Sequence, residues 1–548
     1  MIAGFLAAAC RIKPLSHCEK GSNSLHKCLT LIDLVAYGVG CSVGAGVYSL
    51  VGVGAQITGP SISLSFFISG IACMFTSLTY SEFAARVPVT GSAYTFVYIT
   101  FGELSAWLIG WNLTLGYGIS AAGIARSWAS YAHLFLQHFG LYLPKWLVRV
   151  EIHGVSYSIL AAFLVICCTF ILLAGVRESA KFNSFVTLLN ISVLLFVVAF
   201  GSTEVDTTYW KPFMPAGFHG VLTGAGVVFF AYLGFDMVAC LAEEVHEPQR
   251  TLPKGIIGSL LISMIIYIGV SLVVTGMAPV SILGDEVPLV NAFMFHDAPW
   301  AGRIVSFGSI FGLTTAAFTC LMGQPRIFYQ MAKDGLLPPL FATLHRRTHV
   351  PVASTILTGT IVSIIAFLFE LDFLANVISC GTLQVFTFVN TGVLLLRMRP
   401  SFSGASVIHR VLLYVISCFA LSLSFVFDLS WIIQGVFALL VIASFMFIYR
   451  LGKLSGLPTS FQCPLVPLVP CVGILANVYM VASIPSEGWI GVLIWLSVGL
   501  AVFDSVQDHC AHEKMARRKC VCLVVGLLLE ECLVFRCVES NTLETEAS

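Results

Sequence analysis

The chain has 548 residues, of which 58% are hydrophobic and 10% are charged, whereas an average soluble domain is about 25% charged. Its mean hydropathy is +0.93, so the polar residues are too few to cover a water-facing globule of this size. This composition argues against a soluble enzyme and predicts a chain surrounded mostly by lipid. The 28 basic residues equal the 28 acidic residues in number, and without a basic stripe nothing indicates nucleic-acid binding.

The N-terminus and the cysteines add little to this class. The first residues, MIAGFLAAACRIK, are apolar but too short to span a membrane and have no leading basic region. We therefore predict a cytoplasmic N-terminal segment, residues 1–28, that begins with an amphipathic stretch rather than a cleaved signal peptide. Most of the 18 cysteines lie in apolar runs, as Cys167 and Cys168 do, and we interpret them as reduced, small hydrophobic residues.

Apolar runs of the length that spans a bilayer recur along the chain. A spanning helix needs about 20 apolar residues, and about fourteen runs approach that length. They lie near residues 29–53, 61–86, 102–136, 156–174, 183–202, 218–241, 256–278, 302–331, 352–369, 373–396, 411–428, 431–449, 465–484 and 488–507. The sequence therefore predicts an all-α polytopic membrane protein.

The basic residues orient these runs, because cytoplasmic loops hold the excess of Lys and Arg. With the N-terminus inside, all 28 fall in inside segments except Lys145, Arg149, Lys211 and Arg303, which fall outside, and Arg126, which lies within the third run. Both termini are therefore predicted to be cytoplasmic.

Two of the runs contain glycines that a continuous helix would disfavour by about 1 kcal/mol each relative to alanine. The first run reads GVGCSVGAGVYSLVG and the sixth reads GAGVVFFAYLGFDMVACLAEEV. Close packing of helices through small residues is one explanation. The other is a pair of broken helices, which at corresponding positions of two halves indicates a secondary transporter with inverted five-helix repeats. We favour the second explanation.

Broken helices suit a small zwitterion. The start of one half-helix exposes N–H groups that favour a carboxylate, and the end of the other exposes carbonyls that favour an ammonium group. A free amino acid carries both groups at a fixed spacing. We thus expect a leucine-transporter-like core of helices 1–10 with helices 1 and 6 broken (residues 29–396), then helices 11–14 (residues 397–507) and a cytoplasmic tail (residues 508–548).

The tail contains one further apolar stretch, residues 520–535. It is short and is interrupted by Glu530 and Glu531, which favours an interfacial helix over a fifteenth span. Cys520 and Cys522 are interpreted as free thiols, with a lipid anchor as the alternative.

Several motifs together are specific for one family. They are the two glycine-rich runs, the segment SEFAARVPVTGSAYTFVYITFGELSAWLIGWNL, GFD followed by EEVHEPQRTLPKGI, GQPRIFYQMAKDGLLP and CPLVPLVPCVGILANVYM. Over residues 25–507 the chain resembles the cationic amino acid transporter family of the amino acid, polyamine and organocation superfamily. The fourteen runs and the late PLVPLVP segment separate this branch from its twelve-helix relatives.

The resemblance implies a substrate site made mostly of backbone groups. The amides that hold the substrate carboxylate in relatives correspond to Gly44, Ala45 and Gly46. The carbonyls that hold the substrate ammonium group correspond to Ser42, Phe230, Ala231 and Leu233. Phe230 or Tyr232 is a candidate gate over the substrate, although membrane aromatics more often serve packing.

The resemblance also draws attention to two acidic residues. Asp236, just after the sixth-helix break, is an intramembrane carboxylate and so a functional candidate, and it is equally suited to cap the following half-helix. Glu103, in GELSAW, matches a glutamate on which transport depends in the family, and it is expected to act from the membrane edge. Glu82 and the glutamates of EEVHE are expected to form inner-gate ion pairs or solvated caps.

Two positions bear on coupling and specificity. Asn190 stands where bacterial proton-coupled relatives have a lysine, and because an amide does not titrate at physiological pH, it favours facilitated diffusion, with Asp236 as another coupling candidate. Cys320 stands where cationic members tend to have serine, and Gly116 supplies no carboxylate where some relatives have one. The cationic preference therefore rests on the resemblance.

The function that we predict is alternating-access transport of amino acids, most directly Arg, Lys and ornithine, driven by the membrane potential. A neutral or broad-specificity permease with proton coupling and a transport-dead amino acid sensor are the alternatives. No catalytic set, metal-ligand pair or phosphate loop stands at usable spacing, so we expect neither enzymatic activity nor a cofactor. The expected partners are the substrate and the lipid bilayer of the plasma membrane or an endomembrane; oligomer and accessory subunits stay open.

Overall fold

The computed structural model describes residues 11–14, 27, 29–152, 155–175, 179–284, 287–346, 348, 350–398, 404–450 and 460–504. Within these ranges the chain is almost entirely helical, with one antiparallel hairpin of β1 (Val150–Ile152) and β2 (Val155–Tyr157). The predicted all-α polytopic class is thereby confirmed. The first ten residues, the tail stretch 520–535, Cys520 and Cys522 lie outside the described residues.

Helices fill the first five apolar runs, which we call spans 1–5. The first span is divided into three short helices, and the third is interrupted by a π-helical turn at Leu115–Ile119. In chain order the helices are α1 (Leu31–Ser42), α2 (Ala45–Tyr48) and α3 (Leu50–Thr58) in span 1; α4 (Ile62–Arg86) in span 2; the connecting α5 (Ser92–Thr100); α6 (Glu103–Thr114) and α7 (Ser120–Gln137) in span 3; the connecting α8 (Lys145–Val148); α9 (Ile159–Ala174) in span 4; and α10 (Ser179–Gly201) in span 5.

Spans 6–10 repeat the pattern of one broken helix followed by four others. Span 6 consists of α11 (Gly217–Val228) and two 3-10 segments, Phe229–Tyr232 and Asp236–Glu244. It is followed by α12 (Pro248–Met277) in span 7, the connecting α13 (Val280–Leu283) and α14 (Pro288–Phe295), α15 (Pro299–Lys333) in span 8, α16 (Val352–Leu368) in span 9 and α17 (Leu371–Met398) in span 10. Short 3-10 turns also occur at Gly59–Ser61, Ser202–Glu204, Thr207–Trp210 and Pro339–Ala342.

Four further helices complete the bundle as spans 11–14. They are α18 (Gly404–Val426), α19 (Trp431–Tyr449), α20 (Leu468–Ser483) and α21 (Ser486–Asp504). Across the described residues, nine helical stretches are long and apolar enough to cross a membrane, and four shorter apolar helices of 10–17 residues accompany them. The chain is thus an integral, multi-pass membrane protein. The predicted division between core and later helices at residue 396 stays a prediction.

Span 7 begins earlier than its apolar run. The run starts near residue 256, whereas α12 starts at Pro248, because proline at the first helical position is already set for the helix and loses no hydrogen bond there. The first turns carry Arg250 and Lys254, and the Arg250 side chain is 83% exposed. Hydropathy therefore marks the apolar part of this helix and not its first residue.

The two broken spans lie at the centre of the bundle. Helix α1 packs against α10, α12 and α15, and α11 packs against α3, α4 and α20. The apolar stretch of span 6 is 94% buried, whereas those of α19 and α21 are 17% and 22% buried. Spans 12 and 14 are therefore peripheral, and any site at the breaks is enclosed by the other helices.

Some of the glycines that suggested broken helices instead permit close packing. Gly38 and Gly40 lie within α1, where an added Cβ would come within 2.5 Å of Ser259 Oγ and 2.7 Å of Thr187 Oγ1. Gly224 lies within α11, where the same addition would come 2.8 Å from Ser65 Oγ. At these three positions the packing explanation is the correct one.

Candidate substrate-binding site

The first break lies between Ser42, the last residue of α1, and Ala45, the first residue of α2. Val43 and Gly44 leave helical geometry there, and the Gly44 amide donates to the Ser42 carbonyl at 2.9 Å. The amides of Ala45 and Gly46 come first in the next helix and so have no acceptor within it. The predicted interruption is present. Two of its three predicted amides, those of Ala45 and Gly46, lie at the start of a helix and are not used within that helix.

The second break lies between Tyr232, which ends the first 3-10 segment of span 6, and Asp236, which begins the next. Leu233 is extended, and Gly234 has φ of 135°, a region in which residues with a Cβ are strained. The Leu233 amide donates to the Phe230 carbonyl at 3.2 Å. Gly234 is therefore the residue whose backbone freedom permits this break.

The two breaks lie in contact with each other. An added Cβ on Gly46 would overlap Cα and Cβ of Ala231, and one on Gly234 would lie 2.6 Å from Ser42 Oγ. Residues more than 180 positions apart in the sequence are thus adjacent, which is the arrangement that a single substrate bridging both breaks requires. The predicted residues Ser42, Gly46, Ala231 and Leu233 are brought together, each buried.

Three of the four predicted carbonyls already accept one hydrogen bond. Ser42 and Phe230 accept from amides of their own breaks, and Ala231 accepts from the Tyr267 hydroxyl of α12 at 2.8 Å. Each carbonyl oxygen has a second lone pair, so a substrate ammonium group can still be accepted. Tyr267 fixes the direction of the Ala231 carbonyl, and no feature of its sequence surroundings, IIYIGV, singled it out.

Asn190 braces the first break from span 5. Its Nδ2 donates to the Val43 carbonyl at 2.9 Å, and its Oδ1 accepts from the Tyr48 hydroxyl. The Tyr131 hydroxyl of α7 donates to the Tyr48 carbonyl at 2.6 Å. An uncharged amide therefore satisfies a carbonyl freed by the break, and the two tyrosines that complete this brace were not predicted.

Asp236 is buried at the start of the second half of span 6. Its Oδ1 accepts from the Gly234 amide at 3.2 Å, so the carboxyl group closes its own break. Its other oxygen, Oδ2, is buried, and the phenols of Tyr80 and Tyr117 lie close to the carboxyl group. Tyr117 belongs to the π-helical turn of span 3, and its flanking glycines, in LGYGI, were the signal for an irregular turn.

Three further predicted residues, Phe230, Tyr232 and Cys320, are buried near the breaks. Phe230 is 5% exposed, and its ring faces Gly123 of α7. The Tyr232 hydroxyl donates to the Phe66 carbonyl at 2.7 Å, which turns this side chain away from the first break. Cys320 is buried in α15, one helical turn from Ala316, which packs against Gly44.

Glu103 lies far from the breaks, at the start of α6. It is 2% exposed, accepts from the Tyr98 hydroxyl at 2.9 Å and pairs with Arg11, whose Nε lies 2.9 Å from Glu103 Oε2. These two partners belong to the N-terminal segment and to α5, and not to either break. Among the acidic residues expected at this face, Glu82 pairs with Arg397 and Glu244 with Arg326.

A broken-helix bundle with backbone groups converging at its centre defines a secondary transporter. The model of the family described as amino acid permease matches residues 29–427, and that of the C-terminus of AA_permease matches residues 461–509. The chain belongs to the amino acid permease family and, within it, to the cationic amino acid transporters.

Three relatives illustrate the range of this family. The cationic amino acid transporter 9, chloroplastic, of Arabidopsis thaliana is 38% identical, with 90% of each chain covered. The methylthioribose transporter of Bacillus subtilis is 34% identical, with 90% of this chain and 96% of the relative covered. The branched-chain amino acid permease BcaP of the same bacterium is 32% identical, with 90% and 95% covered. The chain is thus an amino acid permease and not an enzyme, and its substrate class is an amino acid.

Proposed function

We propose that this permease carries cationic amino acids, such as Arg, Lys and ornithine, by alternating access as potential-driven facilitated diffusion. The observation on which this rests is the contact between the two breaks, where Gly46 lies against Ala231. The substrate carboxylate would be bound by the amides of Ala45 and Gly46, and by that of Gly44 once it leaves the Ser42 carbonyl, to which it donates in this conformation. Its ammonium group would be bound by carbonyls of Ser42, Phe230, Ala231 and Leu233.

The cationic preference has two supports. The cationic transporter of Arabidopsis is more similar to this chain, at 38% identity, than the two bacterial relatives at 34% and 32%. Beside the breaks lies the buried Asp236 carboxyl, which accepts from the Gly234 amide and, when ionised, has lone pairs left to accept from a cationic substrate. Cys320, buried on span 8, would contribute to the pocket for the substrate side chain.

Transport without a coupling ion is supported by Asn190. The amide bridges Val43 and Tyr48 and cannot take up or release a proton at physiological pH. A cationic substrate then accumulates with the membrane potential, which contributes about 2.3 kcal/mol per charge per 100 mV, and a neutral substrate gains nothing from it.

Phe230 is the better candidate for a gate, since the Tyr232 hydroxyl is bonded to the Phe66 carbonyl.

The test is uptake of radiolabelled L-arginine and L-leucine into proteoliposomes, with and without an imposed negative-inside potential. We expect arginine uptake that rises with the potential, and leucine uptake that is weak and independent of it. Arginine uptake that ignores the potential, together with strong leucine uptake, would reject the cationic proposal. Liposomes without protein serve as the control for leak through the lipid.

A neutral, proton-coupled permease is the second candidate, favoured by the similarity to a relative named as a branched-chain amino acid permease. Asp236 would then be the group that takes up the proton, because its carboxyl is buried beside the break without a cationic partner among its recorded contacts. In lightly buffered vesicles this mode predicts internal acidification during leucine uptake. Facilitated diffusion of arginine predicts none.

A further inference from the structure

An N-terminal strap, residues 11–14, crosses the face of the bundle at which span 1 begins. Arg11 Nε lies 2.9 Å from Glu103 Oε2, at the start of span 3. Lys13 Nζ lies 2.6 Å from Asp334 Oδ1, at the end of span 8. The Lys13 amide also donates to the Tyr98 carbonyl of α5 at 3.4 Å. The strap therefore joins two distant parts of the chain, the connection between α5 and α6 and the end of α15.

The two carboxylates under the strap are poorly exposed to water. The side chain of Glu103 is 3% exposed and that of Asp334 is 12% exposed, and a buried carboxylate is costly without a cation or several donors. Asp334 also follows the last turn of α15, where the helix dipole disfavours negative charge. The Tyr94 hydroxyl and Gln330 Nε2 donate to its Oδ2 at 3.1 and 3.3 Å, and Lys13 adds a positive charge.

Helix α5 connects the strap to the substrate site. At its end near the strap, the Tyr98 hydroxyl donates to Glu103; burial and the adjacent carboxylate raise the pKa of Tyr98, so the phenol stays a donor at neutral pH. At its other end, Ser92 Oγ donates to the Asp236 carbonyl at 3.4 Å and lies 3.3 Å from the Tyr117 hydroxyl. A shift of α5 would therefore move Ser92 relative to Asp236 and so change the hydrogen bonding at the break of span 6.

We propose that Arg11 and Lys13 are positioning residues of the transport cycle, which close the N-terminal face in this conformation and detach when that face opens. Opening hydrates Glu103 and Asp334, so that the carboxylates no longer need the strap, whereas closing removes water and restores the two ion pairs. The strap thereby favours the conformation in which the breaks are sealed from this face. The proposal rests on the transport function, because a gate requires a substrate path.

Charge reversal tests this coupling. In proteoliposomes that hold Lys13→Asp with the N-terminal face inside, half-saturation is measured for influx of labelled amino acid from outside and for efflux from preloaded vesicles. A weaker strap lowers the population open to the outside, and apparent affinity falls in proportion to the competent fraction. We expect the half-saturation concentration to rise for influx and fall for efflux, each by about threefold or more. Lys13→Asp combined with Asp334→Lys should restore both values.

A second measurement does not depend on the substrate. Hydrogen exchange of the α5 amides, residues 92–100, is followed in detergent and should be faster in Lys13→Asp than in the wild type. Arg250→Asp is the matched control, because it makes the same charge change at an 83% exposed side chain. Slower transport in both directions without opposite shifts, or unchanged exchange of α5, would overturn the proposal. If the wild type carries neither arginine nor leucine, the proposed function fails, and hydrogen exchange still decides on the strap.

Discussion

At the scale of single residues, glycines of one short motif have different tasks. Gly38 and Gly40 remain helical and allow α1 to approach Ser259 and Thr187, whereas Gly44 lies in the break and Gly46 contacts Ala231 across it. The sequence pattern is the same in both cases, since a missing side chain permits either packing or a break. Substitutions at Gly38 or Gly40 should therefore disturb helix packing, whereas substitutions at Gly44 or Gly46 should disturb the break.

Replacing Gly46 with valine should strongly weaken substrate binding. The new side chain overlaps Ala231, and overpacking of this kind costs about 1–3 kcal/mol, which corresponds to about a fivefold to hundredfold loss of affinity. Binding of labelled arginine to purified protein is the measurement. Gly435→Val is the control, because nothing lies within 4 Å of a Cβ at Gly435; equal affinity of the Gly46 variant and this control would contradict the backbone-capture site.

Replacing Asn190 with alanine should weaken substrate affinity. It leaves the Val43 carbonyl and the Tyr48 hydroxyl without their partner, and an unmade buried hydrogen bond costs about 1–3 kcal/mol. Asn291→Ala is matched in chemistry, since Asn291 Nδ2 donates to the Leu283 carbonyl at 2.8 Å away from the breaks. Thermal unfolding and arginine affinity are compared in both variants. A loss of affinity as large in Asn291→Ala would remove any special role for the brace.

At the scale of elements, a buried ion pair connects spans 2 and 10 to the segment before span 13. Arg397 Nε lies 2.8 Å from Glu82 Oε1, and the Cys463 amide donates to Glu82 Oε2 at 2.8 Å. Both charged side chains are 3% exposed or less. A buried pair of this kind contributes to stability mainly because either member alone would be left as an unpaired charge.

Glu82→Gln should therefore lower the unfolding temperature in detergent strongly, because removing one partner of a buried pair costs about 3–5 kcal/mol. Replacing both partners, as in Glu82→Leu with Arg397→Met, should be less harmful than the single change. Glu247→Gln is the control, since its pair with Arg250 is 3.9 Å long with side chains 76% and 83% exposed and contributes about 0–1 kcal/mol. Equal effects of the buried and the exposed single changes would show that the Glu82 pair is not desolvated as described.

At the scale of the whole molecule, the ion pairs of the described residues that include a well-buried side chain collect at one face, whereas Arg149 pairs with Glu370 at exposed positions elsewhere. The pairs Arg11–Glu103, Arg326–Glu244 and Arg397–Glu82 all lie at ends of spans that the distribution of basic residues assigns to the cytoplasm. The centre of the bundle, by contrast, presents backbone groups and the carboxyl of Asp236 near the breaks. In our proposal, charge therefore serves orientation and gating, while backbone dipoles recognise the zwitterion.

This orientation predicts the accessibility of epitope tags. Tags at both termini should react with antibody only after the cytoplasmic side is permeabilised, because the basic segments that flank them resist translocation. A tag inserted at residues 206–216, between spans 5 and 6, should be reached from the opposite side. Reaction of either terminal tag in intact cells or sealed organelles, while the inserted tag is silent, would invert the assignment.

The sequence by itself determined the properties that depend on local chemistry. Apolar runs fixed the polytopic helical class, glycines placed the two interruptions within a few residues, and the motifs identified the family. These signals are local, because each reports how one segment partitions into lipid or departs from a helix. The sequence also named Asn190, Asp236 and Glu103, but as candidates without partners.

Only the tertiary structure decided which groups meet. Asn190 and Val43 are 147 positions apart, Glu82 and Arg397 are 315 apart, and Lys13 and Asp334 are 321 apart. No pattern within one helix states which face will be turned toward a distant neighbour, since that choice follows from how all spans pack at once. For the same physical reason, the direction of Tyr232, the packing role of Gly38 and the position of the strap became apparent only in the folded bundle.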